Sequence, residues 1–374
     1  MSRKIPALLL FLTLTISALT GCSGSKNRVV NDDTLDSQEI VTITFFGNKY
    51  EPDNVTVIEQ IMSEFMKENP YIRISYESLK GTAYFDALEK RMESGKGDDI
   101  FMVNHDSLLK LEEKGKLADL SGLSTLPDFT DEMRSQMGNS RITWVPTTVS
   151  VFGLYCNLDL LKKHKQQVPG TRKEWEEVCD YFISRGMTPV IANNDISLKT
   201  LAIGQGFYQV YQDKRQTEVL ERLNNGEEKL SEYLTDGFST VETFISRGYL
   251  DADKALKTKK TSDDLKEFIL GESPFMLTGA WAAGRVDSMK PDFQFEVAPL
   301  PILDEGSMLV INPDTRLSVN ADSEHLDAAM KFVEYFTKAE NIQRFADQQS
   351  SFSPLKGGSP SRVLEIQPLI SCYE

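Results

Sequence analysis

Aromatic rings and planar polar side chains dominate the positions of this sequence best placed to do chemistry, and what they suit is recognition. An aromatic face stacks on the apolar side of a ligand ring, and amides or carboxylates hydrogen-bond hydroxyls in pairs. In open α/β sheets such groups gather at the carboxyl ends of strands. Asn48, Tyr50 and Glu51 follow a predicted strand at 40–46, and Asn104 and Asp106 follow another at 99–103. Trp281 lies beyond a predicted strand at 274–277, with Gly279 and Ala280 leaving room beside it. Trp144, Tyr155 and Asn193 are further candidates. Trp144 precedes Val145-Pro146 and could equally be structural, while Asn193-Asn194-Asp195 could equally be a turn.

Bond-breaking chemistry finds no matching constellation. Gly204-Gln205-Gly206 lacks the third glycine of a dinucleotide loop, because position 209 is Gln. Asp251-Ala252-Asp253 lacks the rest of a calcium loop. His105, His164 and His325 are far apart and show no metal-ligand spacing, which leaves surface positions as the plain reading. No Gly-x-Ser-x-Gly elbow occurs. No catalytic residue, metal or cofactor is therefore expected.

The N-terminus carries an address. Arg3 and Lys4 precede an apolar run from Ile5 to Leu19, which is an export signal rather than a confident membrane span. The run ends in Leu19-Thr20-Gly21-Cys22, which resembles the bacterial lipobox, whose cysteine is lipidated. Residues 1–21 are then a leader and 22–39 a polar, flexible spacer to the folded body. This places the working protein outside the cytoplasm on a lipid tether at Cys22. Stable anchoring needs more than one acyl chain.

The chain has 374 residues and a formal net charge of -15, two units more negative once Arg3 and Lys4 leave with the leader. Such an acidic body is repelled by phosphate backbones, so nucleic acid is excluded as a partner. Membrane association should come from the lipid alone. The part from Ile40 onward is too long for one small core and suggests two lobes. Cys156, Cys179 and Cys372 have no paired spacing. A Cys156–Cys179 disulfide is open, with buried free thiols the preferred reading.

Elements that must position these residues follow from periodicity. Strands at 40–46, 71–77 and 99–103 alternate with helices at 55–69, 84–94 and 107–114, the pattern of a parallel α/β sheet. An apolar stretch spans 149–156, a helix 171–184 opens at Thr171, and a short strand covers 188–192. Helices are expected at 198–211, 216–223, 229–247 and 263–270, and strands at 274–277 and 295–298. Pro299-Leu300-Pro301 marks a sharp change of direction. A long amphipathic helix covers 323–338, with Leu326, Ala329, Met330, Phe332, Val333 and Phe336 inward.

Several segments then resemble the extracellular solute-binding proteins of ABC importers, in the carbohydrate (family 1) branch. They are Gly97-Asp98-Asp99-Ile100, Gly115-Lys116-Leu117-Ala118-Asp119-Leu120 and Val145-Pro146. Gly153-Leu154-Tyr155-Cys156-Asn157-Leu158-Asp159-Leu160, Pro169-Gly170-Thr171 and Gly186-Met187-Thr188-Pro189 follow. Phe268-Ile269-Leu270-Gly271, Phe275-Met276, Gly279-Ala280-Trp281 and Pro299-Leu300-Pro301 complete the series in the family's order.

The resemblance implies a periplasmic-binding-protein-like α/β fold of type II character, with two lobes, a hinge and ligand in the cleft. Hinge crossings are expected near Pro146 to Phe152, Pro299 to Pro301 and Leu317. Lobe one would be 40–148 plus 300–316, and lobe two 149–299 plus 317–374. The implied function is capture of a sugar or oligosaccharide for an ABC permease, by a monomer and without catalysis. Trp281 occupies the family's tryptophan position, whereas Asp99, at the start of its strand, suits capping or packing. Family members normally continue beyond Ser353-Pro354-Leu355-Lys356 with further lobe-two helices, so the C-terminus reads as shortened. The alternatives are an envelope-tethered glycan hydrolase and a sensor subunit for a membrane kinase.

Overall fold

Three parallel strands open the molecule. β1 (Val41–Gly47) pairs with β2 (Ile72–Ser78) on one side and β3 (Ile100–Val103) on the other. Parallel strands need crossovers, and α1 (Pro52–Glu68) and α2 (Thr82–Glu93) supply them. Pro52 at the first turn of α1 has its ring pre-set for helix, and Ile58, Ile61, Met62 and Phe65 bury one face. After β3, α3 (His105–Glu113) is capped by the Asn104 side chain, which accepts from the Ser107 N–H at 2.8 Å.

The next section lengthens into the second lobe. α4 (Asp131–Met137) precedes β4 (Val145–Asn157), a 13-residue strand buried throughout. α5 (Leu158–Lys163), α6 (Arg172–Ile183) and β5 (Val190–Ile191) follow. Next come the helices α7 (Asp195–Gln212), α8 (Gln216–Asn224), α9 (Leu230–Ser246), α10 (Ala252–Lys257) and α11 (Asp263–Phe268). β6 (Phe275–Gly279), α12 (Ala283–Ser288), β7 (Phe295–Ala298) and β8 (Val310–Val319) lead to α13 (Leu326–Phe336), α14 (Ala339–Gln348) and α15 (Ile370–Tyr373). This computed structural model describes residues 39–138, 141–192, 195–257, 263–358 and 362–373.

All strands join one curled sheet in the order β2-β1-β3-β8-β4-β6-β5, with β7 also on β4. β8 is antiparallel to both β3 and β4 and so ties the first three strands to the rest. Two buried clusters hold the fold. One contains Phe45, Phe65, Phe101 and Phe332; the other contains Phe152, Trp175, Phe244, Phe275 and Leu300. The result is the two-lobed binding-protein fold, with β4 and β8 as the long crossing strands.

Several expectations move. Pro299 to Pro301 is not a crossing: Leu300 exchanges backbone hydrogen bonds with Met308 at 2.9 Å in each direction and lies in the second cluster. A further crossing segment is instead 349–356, where Phe352 and Val149 exchange backbone hydrogen bonds and Thr130 donates to the Pro354 carbonyl. Segment 317–374 is expected in lobe two, yet Phe332 of α13 meets Phe45 and Phe65 at ring-centroid distances of 5.9 and 5.2 Å. α14 follows it, with Arg344 binding both carboxylate oxygens of Glu64 in α1 at 3.0 and 2.7 Å. Hydrophobic periodicity picks out Ala329, Phe332, Val333 and Phe336 as the buried face of α13, but Leu326, expected inward, is exposed at the first turn, and periodicity does not say which sheet covers the helix.

The second lobe has a tight helix pair. A Cβ on Gly206 would come within 2.5 Å of the Tyr233 carbonyl, and one on Gly237 would overlap the Ala202 carbonyl. Gly204 meets Val310 and Met308 instead. The Gly204-Gln205-Gly206 pair is thus a packing device between α7 and its neighbours. Cys156 and Cys179 are buried and free.

Candidate functional site

Ligand chemistry is concentrated where β1, β3 and β6 end and where β4 and β8 cross. The β1–α1 loop brings Asn48, Tyr50 and Glu51 together. Among the described residues, Asn48 Oδ1 is buried without a hydrogen-bond partner. An unsatisfied buried carbonyl of this kind costs roughly 1–3 kcal/mol, so a ligand hydroxyl donating to it would be strongly favoured. Tyr50 is 37% exposed, and Lys80 Nζ sits 5.4 Å from its ring centroid. Glu51 accepts from the Asn54 amide at 2.8 Å.

Trp281 lies just beyond β6. It is 38% exposed, the most exposed of the chain's three tryptophans, and meets Phe152 edge-on at 6.3 Å. Its ring lies directly over Gly279, where any Cβ would collide with it. One turn later Arg285 Nη2 reaches Glu51 Oε1 at 3.4 Å, an ion pair spanning the cleft. Burial pushes the Glu51 carboxyl up, but its own backbone N–H, the Asn54 amide and Arg285 together hold it below the usual glutamate value. Gln349, on the third crossing segment, donates to Asn54 Oδ1 at 2.5 Å.

The floor is a polar ribbon. Thr147 Oγ1 donates to the Thr315 carbonyl at 2.7 Å, and Thr148 and Ser150 reach the Asp314 and Asn312 carbonyls at 3.3 and 3.4 Å. Thr315 has φ +46°, a left-handed conformation that a β-branched residue adopts only under constraint. Arg316 lies over Trp144, with its guanidinium carbon 5.0 Å from the ring centroid.

The remaining sequence candidates divide clearly. Asn104 spends its side-chain oxygen on the α3 cap, and Asp106 is exposed in the first turn of that helix. Trp144 is 6% exposed and serves as the platform for Arg316 rather than as an open stacking face. Tyr155 is a correction: it is fully buried, stacked on Phe295 at 6.0 Å, and its hydroxyl donates to the Gly279 carbonyl at 2.8 Å. It braces the strand that carries Trp281 and has no surface to offer a ligand. Asn193 and Cys22 lie outside the described residues. Asp99 packs as expected, accepting from Thr44 at 2.8 and 3.0 Å and from Ser323 at 2.5 Å.

Sequence reasoning missed Lys80, Arg285, Asn312, Arg316 and Gln349. Arg285 was findable, being four residues after Trp281 and therefore on the same side of a short helix. Arg316 was not, because only the pairing of Val103 with Arg316 places it at the carboxyl end of β3.

A hinged, two-lobed sheet with an aromatic face, an unsatisfied amide and charged residues meeting across one cleft defines a binding protein. The family match agrees and is more specific. Residues 48–343 fit the family described as bacterial extracellular solute-binding protein, and the chain belongs to that family.

Among curated proteins, the multiple sugar-binding protein of Streptococcus mutans is 24% identical over 98% of this chain and 86% of its own length. Among solved structures, RafE in complex with raffinose superposes with a TM-score of 0.67 at 24% identity, covering 89% of this chain and 86% of RafE. A family 1 extracellular solute-binding protein from Bifidobacterium longum subsp. infantis gives a TM-score of 0.69 at 21% identity, over 89% and 86% of the two chains. These structural likenesses establish the fold. The family places the protein outside the cytoplasm.

Proposed function

We propose that the protein captures a sugar or oligosaccharide between its lobes and hands it to an ABC permease, held at the membrane by lipid on Cys22. The observation that carries the reading is the Glu51–Arg285 ion pair, with an accessible Trp281 ring one turn before Arg285 and the buried Asn48 amide oxygen three residues before Glu51. A pyranose offers an apolar face to the ring and hydroxyls to the amide and charged groups. The sugar-binding names of the relatives support the same class. No catalytic role is assigned, and the protein acts as a monomer in this reading. A tether keeps a two-lobed binder within reach of its permease, where a released one would lose its ligand.

Thermal unfolding with a panel of mono- and oligosaccharides tests this. A true ligand at one hundred times its dissociation constant adds about 2.7 kcal/mol of stability. A panel that leaves the melting temperature unchanged contradicts the proposal.

A further inference from the structure

Arg316 stands apart among the charged groups of the cleft. Arg285 has Glu51 at 3.4 Å, but among the described residues no carboxylate forms an ion pair with Arg316. Among the described residues its buried Nε has no partner, and its one hydrogen bond is long, Nη2 to Asn312 Oδ1 at 3.4 Å. The guanidinium lies over the Trp144 ring, which fixes its plane. Burial pulls its pKa below the usual arginine value, with Asp314 opposing that only through space. Removing a guanidinium from water without hydrogen-bond acceptors is unfavourable, so the arrangement is incomplete as it stands.

Its position supplies the missing partner. Arg316 pairs with Val103 at the carboxyl end of β3 and with Pro146 where β4 enters the crossing, which is the edge where ligands of open α/β sheets sit. Beside it, Thr315 is held at φ +46°, with its buried Oγ1 unpartnered among the described residues. Strained backbone of this kind persists where a site over-determines it.

We propose that Arg316, aligned by Trp144, is a specificity-determining residue that grips two neighbouring acceptor oxygens of the bound sugar. This rests on the sugar-binding reading above. Two oxygens at bidentate spacing come either from vicinal hydroxyls or from the carboxylate of an acidic sugar.

The test is calorimetric titration of the wild type, Arg316→Lys and Arg316→Gln with neutral oligosaccharides and their uronic-acid counterparts, with melting temperatures measured alongside. Both variants should bind roughly 10- to 100-fold more weakly, because lysine keeps the charge but lacks the fork. Their melting temperatures should fall little, since the contacts given up are the stacking on Trp144 and one long hydrogen bond to Asn312. A loss for uronates alone identifies the carboxylate source, and a loss for neutral sugars identifies the diol. If either variant binds as tightly as the wild type, the inference is wrong while sugar binding stands. If the wild type binds no member of the panel, both fail together.

Discussion

Gly279→Ala should disable Trp281 without touching it. Gly279 has φ -73° and ψ 147°, an ordinary extended conformation, so alanine meets no backbone strain. The added Cβ, however, falls inside the Trp281 ring, whose Cζ3, Cε3 and Cη2 occupy that space, far closer than the roughly 3.5–4.0 Å at which carbon atoms pack. The ring must swing away and give up its edge contact with Phe152. Overpacking of this kind costs about 1–3 kcal/mol of stability. One aromatic contact is worth about 0.5–1.5 kcal/mol, so ligand affinity should fall about 2- to 12-fold.

Calorimetric titration reads the affinity, and acrylamide quenching of tryptophan fluorescence reads the ring. Trp175 and Trp144 are 0% and 6% exposed against 38% for Trp281, so quenching reports mainly on Trp281. In the wild type, ligand should shield it; in Gly279→Ala, the shielding should shrink. Unchanged affinity together with unchanged quenching would refute the placement of Trp281 against the ligand.

Three further outcomes follow from the same contacts. Glu51 is held below its usual value in the folded state, so its contribution to stability is fully present above the ordinary glutamate pKa and is lost as pH falls through the folded value. The melting-temperature gap between wild type and Glu51→Gln should therefore be present at neutral pH and close in acid. The stability difference behind it should stay within about 1 kcal/mol, because both partners are partly exposed; a gap that widens in acid would reverse the assignment. Gly237→Ala would normally favour a helix by about 1 kcal/mol, but here the methyl overlaps the Ala202 carbonyl and should lower the unfolding midpoint of the second lobe. A stabilised variant would show that α7 and α9 are not in close contact. In the chain from residue 23 onward, thiol titration should find Cys372 reactive and Cys156 and Cys179 silent until denaturation, since burial pushes both of their thiols well above the usual range.

How far the sequence foretold the molecule depends on the range of the interaction concerned. α1 and α6 were legible because their apolar residues recur at helical spacing and Thr171 marks the start of α6, while α1 begins at Pro52, three residues before the expected 55. The Thr171 side chain does cap its helix, accepting from Glu174 N–H at 3.3 Å. β8 was hard to see, since Pro313 and Asp314 interrupt its apolar pattern and Thr315 breaks its backbone geometry. Consequently Arg316 had no strand to be placed on. The contact of α13 with β1 joins residues nearly three hundred positions apart, and periodicity says nothing about partners at that range. Trp281 and Glu51 were legible as strand-end residues, whereas Tyr155 carried the same chemical signature yet belongs to the core. The difference is set by Phe268 and Phe295, which enclose it from distant parts of the chain.

The most direct test of the central claim is a titration of candidate oligosaccharides into the wild type and Trp281→Ala at a temperature where both are folded. One sugar bound per chain by the wild type, and bound at least several-fold more weakly by Trp281→Ala, is the expected result. A sugar bound equally by both proteins would contradict the site, and the absence of binding to the wild type across the panel would contradict the function.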